Sequence, residues 1–190
     1  PWASDAGISL LAKPSPERAR ELLAEAGYNG EKVAILHATD SVANNSLGLL
    51  IADALGKVGM NVELQAMDYQ TLVARRGNKG PVADGGWNGF ATQGIALDYV
   101  TPFSVLLTGN GENGWVGWVN EPEIEALKGK FAAEADPEIR KGIAAEIQEL
   151  AFDVVSYVPL GMTYAPIAYR SSVDGIVESP LNLYWNISVE

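Results

Sequence analysis

The residues best suited to meet another molecule lie in DGGWNGFATQG, residues 84–94, where a tryptophan stands among glycines and no charge follows Asp84. An indole offers a large flat apolar face with one N–H, and glycine lets a ligand approach the backbone closely. The pattern suits noncovalent contact. Trp87 would form a wall, while Asn88 and the backbone of Gly85, Gly86 and Gly89 would offer hydrogen bonds. Phe90 adds a second ring to the stretch. Tyr99, Trp115, Trp118, Tyr184 and Trp185 are further aromatic residues in glycine-rich or extended segments, where rings often supply ligand-facing surface.

Bond-making chemistry is poorly provided for. Cysteine is absent, which removes thiol nucleophiles, disulfides and thiolate zinc sites. The single histidine, His37, falls in an apolar run with Asp40 three residues on. It reads as a satisfied histidine or a strand-end polar contact rather than as the base a nucleophilic serine or threonine requires. Ser46, in NNSLG, lacks the first glycine of a nucleophile elbow. The carboxylates have no ligand spacing, so neither a metal nor a cofactor is expected. GNGENG, residues 109–114, matches G-x-G-x-x-G, but the dinucleotide motif needs a strand before it and a helix after it. Here a helical pattern precedes and WVGWV follows, so the segment reads as a flexible surface loop.

Bulk properties narrow the partners. Thirteen Lys and Arg against 24 Asp and Glu give a net charge of −11, which repels phosphate backbones, so nucleic acid is not an expected partner. No apolar run reaches the roughly 20 residues of a membrane helix. No basic segment followed by an apolar stretch opens the sequence, so no signal peptide is read in it.

The elements that must position these residues alternate through the first half. Ser15 and Pro16 open a short helix ending at Gly27, with Leu22, Leu23 and Ala26 as its buried side. A strand is expected over 33–37 and a second over 62–66. Between them, Leu47, Leu50, Ile51, Ala54, Leu55 and Val58 mark the inner stripe of a helix over 44–58. Asp68 can cap a further short helix through Arg76. A third strand is then due at Trp87, which implies a largely parallel sheet covered on both faces, with ligands collecting beyond the strands' carboxyl ends.

The second half differs. A helical turn is expected over 101–107, a short aromatic strand at WVGWV, and a helix opened by Asn120 and Glu123 as a capping pair. Asp136 and Pro137 open another helix. From Tyr157 on, VPLGM, YAPIAYR, VDGIV and LYWNI read as edge strands broken by proline and glycine.

The order SPERARELLAEAGYNG, VAILHATD, LIADALGKVGMNVELQAMDYQTLVARR, GGWNGF and the late NEPEIEALKGKF…VPLG resembles the C-terminal lobe of extracellular solute-binding proteins of family 5, the dipeptide- and oligopeptide-binding components of ABC importers. The resemblance covers nearly the whole chain. It implies an α/β lobe of the type II periplasmic-binding-protein kind, with a mostly parallel sheet flanked by helices, in a two-lobed protein that closes on its ligand by a hinge and serves a membrane permease. Residues 1–162 would be the second lobe. Residues 163–190 would return to a first lobe that this chain lacks, and the chain would be less than half of a member. The location implied is periplasmic or extracellular.

The resemblance also assigns a site. The aromatic wall carries over to Trp87; the ligand contacts expected with it are Asn88, Gly86, Gly89 and Phe90, with Tyr99 or Trp115 completing the wall. Peptide-binding relatives carry W-x-G-D, whose aspartate pairs with the peptide's ammonium group, whereas Phe90 stands at that place here. An ammonium desolvated without a partner costs several kcal/mol, about the penalty of an unpaired buried ion. Asp84 or Asp98 could substitute. The ligand expected is an oligopeptide or similar small solute, with a sugar or opine-like compound as the alternative. Readings of another class are an interaction module built on the C-terminal strands and a small enzyme using Asp84 or Asp98 as acid or base.

Overall fold

The computed structural model describes residues 2–11, 14–164, 166–179, 181 and 183–189. They form two units: a sheet unit, Ile8–Gln93, and a helix-pair unit of the residues before Ile8 with those from Gly94 onward.

The sheet unit starts with helix α1, Pro16–Glu25. The Ser15 hydroxyl accepts from the Arg18 N–H at 3.1 Å, and the chain turns away at Gly27, φ 74°. The expected buried side of α1 is not formed. Leu22 is 49% exposed, and no residue of the helix is buried. Its cap and surface pairs from Arg18 to Glu21 and Glu25, at 3.1 and 2.8 Å, hold it instead of core packing.

Strands β1, Lys32–Ala38, β2, Asn61–Met67, and β3, Gly89–Phe90, are parallel in the order β2-β1-β3. Ile35 stands opposite Leu64 on one side and Gly89 on the other. Side chains alternate along β1. Leu36 and Ala38 pack with Leu72 of helix α3, Tyr69–Arg75, and are joined there by Met67, Tyr69, Trp87 and Phe90. Asp68 caps α3, accepting from the Thr71 N–H at 2.9 Å, as its place before that helix demands.

His37 faces the opposite way, against helix α2, Val42–Lys57. The inner face of α2 keeps Leu47, Ile51 and Leu55 of the expected stripe half-buried, while Leu50, 63% exposed, and Ala54 fall outside it. Its buried members are Asn44 and Gly48, one turn apart, which hydrophobic periodicity does not pick out. A Cβ at Gly48 would come 2.1 Å from His37 Nδ1, so α2 meets β1 there through a glycine. His37 is 5% exposed. It is not the satisfied histidine expected, because its Nδ1 has no hydrogen-bond partner.

The core of the helix-pair unit is α4, Pro122–Ala133, packed on α5, Pro137–Asp153. Ile124, Leu127 and Phe131 of α4 meet Ala144, Ile147 and Ala151 of α5 in the buried set. Phe131 also takes the edge of Trp2 at 5.1 Å and the Arg140 guanidinium at 4.3 Å. Asp136 caps α5 as expected. On α4 the cap is Glu121 rather than Asn120, because Asn120 is held in a bridge with Asn110.

That bridge also explains one further departure. WVGWV is a turn, not a strand: Gly117 and Trp118 have φ of 108° and 52° and reverse the chain. The loop is closed by the Gly111 N–H on Val119 O and the Glu121 N–H on Gly109 O, at 2.9 and 3.0 Å. Residues 101–107 make turns without an α-helix. In the C-terminal part, only β4, Val173–Asp174, and β5, Ser188–Val189, pair, and they do so antiparallel. The remaining runs carry no ladder among the described residues. Pro159 and Pro166, which lack N–H groups, interrupt them. Within the returning segment, Ala165, Pro180, Asn182 and Glu190 lie outside the described residues.

Candidate functional site

Residues 84–94 straddle β3 rather than following it. Residues 84–88 precede the strand, and residues 91–94 leave its carboxyl end. The first part is cross-braced from the end of α3. Arg75 donates to Gly85 O at 2.9 Å and to Gln65 at 2.7 Å, and Asn78 donates to Asp84 O at 3.1 Å. Gly85 has φ 84°, and a Cβ on Gly86 would lie 1.8 Å from Gly80 O. These glycines serve a close-packed turn.

Trp87 is half-buried. Its indole N–H donates to Arg76 O at 3.1 Å, and its ring packs beside the Leu36, Ala38 and Leu72 cluster. Phe90 meets Trp87 edge to face, with ring centres 5.1 Å apart. Asn88 lies against β1: its backbone N–H donates to Ala34 O, and its side-chain oxygen accepts from the Ala34 N–H, both at 2.8 Å. The asparagine therefore sets the register that puts Gly89 opposite Ile35 and Phe90 opposite Leu36. Phe90 is the last residue of β3, and the place where ligands collect in parallel sheets begins after it.

The sequence reading missed a polar pair at that end. Gln93, exposed, donates its side-chain N–H to Asn44 Oδ1 at 3.0 Å. Asn44 is 6% exposed in the first turn of α2. Asp40, which follows β1, turns to α3 and accepts from the Tyr69 N–H at 2.9 Å.

Tyr99 and Trp115 belong to the helix-pair unit, and residues 86–90 belong to the sheet unit. Tyr99 closes a short 3₁₀ turn, Ala96–Tyr99. Burial, and then the Asp98 carboxylate, raise its phenol above the ordinary value. Trp115 lies in the loop closed by Gly109 and Glu121. At the base of that loop Lys128 donates to Leu107 O at 2.9 Å and to Glu125 at 3.0 Å, while Glu125 accepts from the Gly109 N–H at 2.9 Å. Burial raises the Glu125 carboxyl, but the Gly109 N–H, Lys128 and Asn110 outweigh it and leave it below the usual carboxylate range. Among the described residues, no group of three or more His, Asp or Glu side chains could hold a metal, and no helix is long and apolar enough to cross a membrane.

Known proteins share both sequence and fold with this chain. It is 38% identical over 173 residues to the "Probable peptide ABC transporter periplasmic-binding protein" of Sinorhizobium fredii, covering 90% of this chain and 33% of that protein. The fold matches Haemophilus influenzae OppA, solved with the peptide RPPGFSPFR, at a TM-score of 0.72 and 18% identity, over 94% of this chain and 36% of that one. It also matches AgaA of Agrobacterium tumefaciens, solved with agropinic acid, at 0.65 and 20% identity, over 92% of this chain and 37% of that one. The chain spans about one third of the length of the curated relatives it matches. The fold is thus that of periplasmic binding proteins, an α/β arrangement with a parallel sheet flanked by helices. The sequence model described as "Bacterial extracellular solute-binding proteins, family 5 Middle" matches residues 1–111, more than half of the chain. The chain belongs to the extracellular solute-binding proteins of family 5.

Proposed function

We propose that this chain is part of the solute receptor of an ABC importer, which captures an oligopeptide or similar small solute outside the cytoplasmic membrane, periplasmic or extracellular, and passes it to a permease without chemical turnover. The observation that carries the proposal, beside family membership, is the ring pair at β3: Phe90 at the strand's carboxyl end, backed edge-on by Trp87. Phe90 is the ligand contact, Trp87 stiffens it, and Asn88 with Gly86 and Gly89 fixes the backbone there. Tyr99 and Trp115 are proposed as contacts contributed by their own unit. Residues 1–162 act as the second lobe, and residues 163–190 return to a first lobe outside this chain.

A second reading keeps the scaffold and changes the solute. Phe90 supplies no charge for a free ammonium group, and AgaA shows that agropinic acid is held on this fold. An opine-like compound or a sugar, whose faces stack on rings, fits Phe90 as well as a peptide does.

The test is a titration of the intact protein with trialanine, agropinic acid and maltose, followed by tryptophan fluorescence and by mass spectrometry of the recovered solute. Saturable binding of one of them, with the solute recovered unchanged and the signal reduced in Trp87→Phe, is expected. Turnover that Asp84→Asn or Asp98→Asn abolishes would establish an enzyme instead.

A further inference from the structure

Gln93 leaves the carboxyl end of β3 three residues after Phe90, and its amide is fixed from one side. Its N–H donates to Oδ1 of buried Asn44. With the nitrogen committed, the amide oxygen is the acceptor that an exposed residue can offer to a solute. An anchored amide loses less side-chain freedom on meeting a ligand than a free glutamine would.

We infer that Gln93 is a specificity-determining residue of this receptor, its amide oxygen accepting a hydrogen bond from an uncharged donor on the solute, an amide N–H or a hydroxyl, with Asn44 as its positioning residue. The inference rests on the solute-capture reading above. Two observations on the sheet unit favour a neutral donor over an ammonium group. Residues 85–93 carry no charge. The anchoring pair is itself neutral. A neutral acceptor stabilises a buried ammonium too weakly to offset its desolvation, whereas it matches an amide N–H or hydroxyl.

The experiment compares wild type, Gln93→Met and Gln93→Glu in the intact protein by calorimetric titration with trialanine, agropinic acid and maltose, together with thermal melting. Methionine keeps the length and removes both polar groups, while glutamate keeps an acceptor but has no N–H for Asn44 Oδ1. The expected result is about a fivefold to tenfold loss of affinity in Gln93→Met for the probe that wild type binds, the size of one lost hydrogen bond. Both variants leave Asn44 Oδ1 without its N–H partner and should melt equally, somewhat below wild type, so the difference in affinity between them isolates the acceptor, and Gln93→Glu should bind the probe more tightly than Gln93→Met. Equal affinity in wild type and Gln93→Met overturns the role of Gln93 and leaves the receptor reading standing. Failure of wild type to bind any of the three probes overturns the receptor reading and this inference with it.

Discussion

Single residues in the sheet unit do two different jobs that look alike in the sequence. Gly86 and Gly89 lie on either side of Trp87, yet Gly86 is packed against the Gly80 carbonyl and Gly89 sits in a strand beside Ile35. Gly86→Ala should therefore destabilise the chain by roughly 1–3 kcal/mol, an overpacking cost, as measured by urea denaturation. A variant as stable as wild type would show that the turn can open. That two rings, Trp87 and Phe90, stand in a glycine-rich stretch was legible because residue type and glycine context are local. The Gln93–Asn44 bond was not, because it joins residues 49 apart in sequence and exists only once β3 and α2 are in register. The burial of Asn44 and Gly48 on α2 was hidden for the same reason. Periodicity ranks positions by hydrophobicity, whereas the contact of Gly48 with His37 is decided by volume.

Glu125 gives a residue-level prediction with a sign. Its folded-state carboxyl lies below the ordinary value, so its bonds to Gly109 and Lys128 stabilise the fold fully above about pH 4.3, the unfolded-state value. That contribution fades as pH falls through the folded-state value. The melting temperature of wild type should therefore drop more steeply below about pH 4.3 than that of Glu125→Gln. Parallel curves would mean that the Glu125 bonds do not hold in solution.

At the scale of elements, caps and proline positions were the reliable signals. Ser15, Asp68 and Asp136 all cap the helices they precede. Asp136→Ala removes an acceptor for two backbone N–H groups, at 2.8 and 3.1 Å, and should cost about 1 kcal/mol. Truncating Phe131, which is 0% exposed and ringed by Trp2, Phe103 and Arg140, should cost about 3–5 kcal/mol. Chemical denaturation followed by circular dichroism checks both. WVGWV misled because aromatic and β-branched residues read as strand, while Gly117 and the bridge between Asn110 and Asn120 impose a reversal that local propensity does not encode.

At the scale of the whole molecule, apolar side chains remain uncovered along residues 155–189, among them Val158, Met162, Tyr164 and Trp185. Exposed apolar surface of that extent marks an interaction site, and the proposed first lobe would cover it. The 190-residue chain alone should bind any solute at least about tenfold more weakly than the intact protein, because contacts from the rest of the receptor are missing. If deletion of residues 163–190 instead abolished a concentration-dependent dimer of this chain, the interaction-module reading would replace that proposal. The measurement that bears most directly on solute capture at β3 is the affinity of the intact protein and its Phe90→Ala variant for whichever of trialanine, agropinic acid and maltose wild type binds. Loss of the ring should weaken binding at least about tenfold, the lower range for a buried aromatic contact. An unchanged affinity would contradict the assignment.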